Sequence, residues 1–319
     1  STDPRSTIYP TNLLATCGKC HPGATENFAA GKIHIAATET PDQAEGVGGK
    51  VNAWVRRIYV ILIVVTIAVM LLHNGLLFIR KWIRLHRTEP RTIQRMDRHQ
   101  RWQHFLLAFS FIALAVTGFA LKFPDSWIAK LLGSHEDFRR WTHRGAGIVM
   151  LALGAYHIGY LLFTKPGRQL LKDFLPEKKD VRDVLANVHY LAGAKPEKAR
   201  LKRFGYAEKM EYWAVVWGTI IMGVTGLVIW FKIGVTQFLP RWVIEVATTI
   251  HYYEAILACL AILVWHFYHV MFDPDIYPVN LACWDGKVSE HWQEDEHPLD
   301  ECVQRTDAKK SPPDGGEGI

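Results

Sequence analysis

Ile250 to Pro274 reads IHYYEAILACLAILVWHFYHVMFDP, an apolar run in which Glu254 is the only acid before Asp273. Its length and composition are those of a membrane-spanning helix. In lipid every backbone polar group must be satisfied within the segment, which leaves an uncharged run of this length few other folds. His251 lies near one end and His266 and His269 near the other. At the helical rise His251 and His266 are about 22 Å apart, within a hydrocarbon layer about 30 Å thick, so each falls in a different leaflet. Ionisable groups at such depth are costly and point to function. Neutral imidazole is a standard axial ligand of haem iron, so two histidines at two depths predict part of the ligand set of two stacked haems. The competing explanation is a set of histidines hydrogen-bonded between helices.

Four more apolar runs precede this one: Ile58 to Ile79, Phe105 to Leu121, Gly145 to Phe163 and Tyr212 to Phe231. The predicted fold is therefore an all-α membrane protein with five transmembrane helices, although only 49% of its 319 residues are hydrophobic. The charge is concentrated in the loops. Arg80, Lys81, Arg84, Arg87, Arg91, Arg95, Arg98 and Arg101 follow the first run, against Glu89 and Asp97. Lys165 to Glu211 holds twelve Lys or Arg against seven acids. The positive-inside rule puts both loops in the cytoplasm. The net charge of +6 is thus explained by topology, with lipid as the partner and no nucleic acid implied. The tail from Asp273 has twelve acids against four Lys or Arg, and its last residues, KKSPPDGGEGI, read as disordered.

Residues 1–50 are polar and contain Cys-Gly-Lys-Cys-His at Cys17 to His21. C-x-x-C-H is the c-type haem attachment motif: Cys17 and Cys20 bond the porphyrin and His21 takes one axial position. A redox cysteine pair is the alternative, and the histidine that follows argues against it. Cys259, Cys283 and Cys302 are scattered, and no second Cys pair suggests zinc. His34 is a possible second axial ligand. So short a segment cannot bury a haem alone, and it reads as the last module of a multihaem cytochrome c whose other modules lie upstream or in a partner. The opening at Ser1 reads like the middle of a longer polypeptide. Haem c is attached outside the cytoplasm, which puts the N-terminus in the periplasm, in accord with the loop charges.

With that topology the histidines sort by depth. His143 and His251 lie near the outer face; His104, His157, His266, His269 and His73 lie near the inner one. One b haem fits His143 with His251, and a second fits His104 or His157 with His266. His269 sits almost at the far interface, which favours His266. A short repeat, Ala115-Val-Thr-Gly-Phe against Gly223-Val-Thr-Gly-Leu, places Gly118 and Gly226 where a helix or a porphyrin could approach closely.

The segments RWQHF at Arg101, RWTHRGAG at Arg140, YWAVVWG at Tyr212, IH to WHFY from Ile250, and DGKVSEHWQEDEHP from Asp285 resemble the formate dehydrogenase gamma-subunit family, the dihaem cytochrome b type that is similar to the cytochrome b of membrane nickel-iron hydrogenases. The resemblance spans roughly residues 95–300. It implies a four-helix dihaem bundle in which His143 and His251 hold the outer haem and His104 and His266 the inner one, beside a menaquinone site. The family spaces the two ligands of its last helix one residue closer than His251 and His266, which calls for a local bulge or for His269. His157 has no counterpart there, and could replace His104 or join His73 around a third haem. Gly205 stands where the family has an asparagine near its quinone.

These features predict a haem c segment (1–50), a first span with a basic loop (51–101), a four-helix cytochrome b domain (102–285) and an acidic cytoplasmic tail (286–319). The expected function is electron transfer between periplasmic c-type haems and the quinone pool, through two stacked b haems. The cofactors would be haem c, two haem b and menaquinone or ubiquinone. The partners would be a multihaem cytochrome c or oxidoreductase subunits, in a multisubunit complex of the bacterial cytoplasmic membrane. His269, Glu208 and Lys209 are the polar residues nearest the expected quinone. The direction of flow is left open by the ligand set. The alternatives are a haem-bearing anchor with no quinone site of its own, and a haem-free transporter whose histidines relay protons.

Overall fold

The computed structural model describes residues 3–7, 9–29, 47–82, 91–133, 135–277 and 279–300. His34, Cys302 and the C-terminal stretch expected to be disordered lie outside the described residues. The helices run in chain order as α1 (Pro10–Cys20), α2 (Glu26–Ala29), α3 (Val47–Trp82), α4 (Arg98–Lys122), α5 (Trp127–Leu131), α6 (Glu136–Phe163), α7 (Lys165–Phe174), α8 (Lys178–Leu191), α9 (Tyr206–Trp230), α10 (Lys232–Thr236) and α11 (Trp242–Ala261). Two π-helical turns, Ile262–His266 and Tyr268–Phe272, continue α11, and α12 (Ala282–Asp285) and α13 (Glu290–Glu296) follow. Two short strands, β1 (Arg91–Gln94) and β2 (Lys287–Ser289), pair antiparallel with Gln94 opposite Lys287.

Among the described residues five helices are long and apolar enough to cross a membrane, and each coincides with one of the five expected spans to within two residues at its C-terminal end or encloses it. Each helix is longer than its apolar run, chiefly because it begins earlier, in residues that precede the run. The starts show how. Asp97 caps α4 by accepting from the Gln100 amide at 2.8 Å, while the Gln100 side chain accepts from the Asp97 amide at 3.0 Å. The Glu208 carboxylate accepts from the Gly205 amide at 2.6 Å and so closes the first turn of α9. Large apolar side chains such as Ile61, Phe109 and Trp217 point away from the bundle, as surfaces that face lipid do.

Helices α4, α6, α9 and α11 pack in that order, and α3 lies against the outer side of α11. The interior between them is lined by small and polar residues, among them Ser110, Thr117, Ala120, Thr225 and Ala247. Two contacts fasten α3 to the π-helical region and to the chain that follows it. The Asn74 side chain donates to the Val264 carbonyl at 2.7 Å, and Lys81 meets Asp273 and Glu296 at 2.8 and 2.9 Å.

The two ends of the bundle differ. At the basic end the chain after α11 folds back under α4, so the acidic tail is a packed structure as far as Asp300. Gly286 is the pivot: its φ is +82°, and a Cβ there would collide with the Met96 carbonyl oxygen. Its own carbonyl accepts from the Arg95 and Met96 amides at 2.8 and 3.1 Å. Arg101 reaches the Trp284 carbonyl at 2.7 Å, which ties the start of α4 to the same turn. At the opposite end α2 and the turn before it rest on the α9–α11 connection. Thr25 donates to the Thr236 carbonyl at 3.1 Å and Arg241 to that of Phe28 at 3.4 Å.

Candidate functional site

Four histidines meet in two pairs inside the bundle. The rings of His143 on α6 and His251 on α11 have centroids 6.2 Å apart. Those of His104 on α4 and His266 in the first π-turn are 6.1 Å apart. The two pairs lie at two depths, the first towards the α1–α2 end and the second towards the basic end.

The first pair is cradled by the Val-Thr-Gly repeat. Thr117 donates its hydroxyl hydrogen to the Ala113 carbonyl at 2.6 Å, and its oxygen lies 3.0 Å from His143 Nδ1. Thr225 donates to the Ile221 carbonyl at 2.7 Å and lies 2.9 Å from His251 Nδ1. Because each hydroxyl hydrogen is already used, the imidazole donates from Nδ1 and keeps its lone pair on Nε2. Glycine follows each threonine because the ring sits against the backbone there. A Cβ on Gly118 would come within 3.1 Å of His143 Cε1, and one on Gly226 within 3.4 Å of His251 Cε1. Both Thr–His pairs are 26 residues apart, so the two halves of the bundle repeat one device.

The repeat extends to the second level. Gln103 Oε1 lies 2.6 Å from His157 Nδ1, 54 residues on, and Glu211 meets His266 Nδ1, 55 residues on. The one-residue difference is the π-turn. The Phe267 amide bonds back five residues to the Ile262 carbonyl, which admits one extra residue and turns His266 inward. This turn is the local bulge that the spacing called for, and it leaves His269 out of the pair. His269 Nδ1 donates to the Trp265 carbonyl at 2.9 Å, and its ring packs on Trp265.

The remaining histidines are occupied elsewhere. His157 uses both ring nitrogens, with Tyr212 3.0 Å from Nε2. Phe174 stacks on Tyr212 at 4.3 Å and fills the space beyond. His73 lies 3.0 Å from the Tyr206 hydroxyl and 3.3 Å from Asn74 Oδ1. Glu208 pairs with Arg95 and lies 3.4 Å from His297, and Lys209 is held 3.0 Å from both oxygens of Asp180. Those two residues brace the start of α9.

Cys17 and Cys20 stand on one face of the last turn of α1 and are not joined in a disulfide. The His21 amide donates to the Cys17 carbonyl at 2.8 Å, and its ring lies 5.0 Å from that of Phe28.

The histidine pairs fit haem. A metal–imidazole bond of about 2 Å on each side of an iron, with a ring half-width of about 1.1 Å, separates two axial imidazole centroids by about 6 Å. Both pairs have that separation, and the glycine cradle leaves no side chain to crowd the first. Sequence reasoning missed Glu211. Its only legible signal was the near-equal spacing of Gln103–His157 and Glu211–His266.

Imidazole pairs inside a bundle of apolar helices define an integral membrane cytochrome of the b type. A family model for prokaryotic cytochrome b561 matches residues 95–279, more than half of the chain. The nitrate-inducible formate dehydrogenase cytochrome b556(Fdn) subunit of Escherichia coli (strain K12) is 25% identical over 214 residues, which cover 66% of this chain and 92% of that protein. The cytochrome b556(fdo) subunit of formate dehydrogenase from the same organism is 25% identical over 211 residues, 65% of this chain and 90% of that one. The chain belongs to the prokaryotic cytochrome b561 family.

Proposed function

We propose that the chain is an electron-transfer subunit linking c-type haem partners to the membrane quinone pool. His143 and His251 hold one b haem, and His104 and His266 hold a second. The observation that carries this reading is the occurrence of two imidazole pairs, 6.2 and 6.1 Å between centroids, at two depths of one bundle. Haem iron supplies one-electron chemistry when bound. Thr117 and Thr225 fix the tautomer and orientation of His143 and His251, and the flanking helices exclude water. Cys17, Cys20 and His21 attach a haem c at the α1–α2 end, with His34 available as a further ligand. That end faces the periplasm and the basic end faces the cytoplasm, in the bacterial inner membrane. Menaquinone or ubiquinone reacts at the basic end. The partners are a multihaem cytochrome c or oxidoreductase subunits, the kind of complex to which the formate dehydrogenase relatives belong by name. The 1–50, 51–101, 102–285 and 286–319 division follows the same roles, with residues 286–300 folded under α4.

A second reading has one observation in its favour. Glu208 and Lys209 are tied up in ion pairs, as expected of an anchor that relays electrons without its own quinone site. Reduction by a quinol separates the two. In proteoliposomes, menaquinol or ubiquinol reduces the b haems on the proposed function, and a quinone analogue blocks it; an anchor shows no reduction by quinol.

Two substitutions probe the ligand set. His157→Ala leaves the b-haem content unchanged, because both nitrogens of His157 are engaged by Gln103 and Tyr212; reduced-minus-oxidised spectra check this. Gly118→Ala forces His143 to yield by a few tenths of an ångström, whereas Gly226→Ala adds an ordinary contact. The first therefore lowers b-haem occupancy more than the second, as read by haem-to-protein ratio.

A further inference from the structure

We infer that Glu211 is a positioning residue that holds the iron site at the basic end at a lower reduction potential than the His143–His251 site. The inference rests on the ligand assignment proposed above. The acceptors behind the ligands differ in charge. His143 and His251 donate to neutral hydroxyls, at 3.0 and 2.9 Å. His266 meets the Glu211 carboxylate instead. Charge-assisted hydrogen bonds are about twice as strong as neutral ones. A carboxylate acceptor raises the basicity of the ligating imidazole, so it acts on the metal through the ligand. Ferric iron carries one positive charge more than ferrous iron, and both a more basic ligand and a nearby anion stabilise it.

Two further observations sharpen the point. Among the described residues His266 is the only ion-pair partner of Glu211, and no described Lys or Arg lies within ion-pair distance of it. In the other half of the bundle the matching position is Gln103, a neutral isostere that holds His157 in the same way. The carboxylate thus stands behind the proposed ligand, and the amide stands behind the histidine that has no partner imidazole. An electron shared by the two sites resides on the His143–His251 side, which biases passage away from the basic end.

Potentiometric titration of the b-haem α-band in the purified full chain tests this, with Glu211→Gln, Glu211→Asp and His104→Ala variants beside the wild type. The wild type is expected to titrate as two b haems of different potential, with His104→Ala removing the lower. Glu211→Gln is expected to raise the lower potential by at least 59 mV, a tenfold change in a one-electron equilibrium. It leaves the upper potential in place and the haem content intact, while Glu211→Asp, which keeps the charge, shifts less. Loss of the higher-potential haem in His104→Ala overturns the inference, and does so even if Glu211→Gln fails to retain haem. An unshifted lower potential in haem-replete Glu211→Gln also overturns it. A wild type with no b haem at all contradicts the ligand assignment itself, which is a distinct result.

Discussion

His143→Ala and His251→Ala each remove one of two b haems and leave the other in place, while His104→Ala and His266→Ala remove the second and spare the first. On the proposed ligand set the loss is complete for the affected haem, because each pair would supply both axial ligands and an alanine offers no substitute within the bundle. Independence follows from the packing. The Thr117 and Thr225 cradle touches only the His143–His251 pair, and Glu211 touches only His266. Thr117→Ala acts more gently than His143→Ala. It frees the ring to rotate and to change tautomer, and supporting groups of this kind are worth about 10–100-fold in metal affinity. Quantitative pyridine haemochrome assays on the variants read out both effects.

Lys81→Met detaches the basic end of α3 from the cytochrome bundle and costs about 3–5 kcal/mol, the range for breaking a buried ion pair by removing one partner. Lys81 Nζ lies 2.8 Å from Asp273, 2.8 Å from Asp275 and 2.9 Å from Glu296, and its side chain is only 11% exposed. Removing the cation leaves three carboxylates facing one another. Burial alone raises the Glu296 carboxyl, but Lys81 and then Lys198 outweigh it and hold the group well below the usual carboxylate range. A depressed folded-state pKa gives stability that is full above the unfolded value, about 4.3 for Glu, and is lost as pH falls through the folded value. The wild-type cluster therefore survives mild acid. The gap between wild type and Lys81→Met is widest at neutral pH and narrows as pH falls into and through the carboxylate range, because the crowded carboxylates of the variant take up protons at a higher pH than those of the wild type. Thermal unfolding in detergent across pH 3–7 measures both the gap and its closure; a gap independent of pH contradicts this account.

The five spans were legible in the sequence because an uncharged run in lipid has so few alternatives. The pairing of His143 with His251 was legible from depth alone. At the inner level depth left His104 and His157 open, and the distinction lies in Gln103 and Tyr212, which occupy the two ring nitrogens of His157 from two different helices. The spacing of His251 and His266 carried the signal of the π-turn, since one residue more than the repeat allows must be absorbed in the backbone. The Val-Thr-Gly repeat was visible as a pattern, but the role of its threonines needed the partner ring, 26 residues away. Lys81 read as one of many topology-setting cations, and nothing local marks it as the one that meets three acids of the tail. The tail read only as acidic, because its packing as far as Asp300 depends on Gly286 and Arg101, a contact between distant segments.

The most direct test of the account is the haem content of the purified full chain, measured by pyridine haemochrome alongside the His143→Ala variant. The account predicts two b haems and one c haem per chain, with a single b haem lost in the variant. A chain that carries no b haem, or a variant that keeps both, contradicts it.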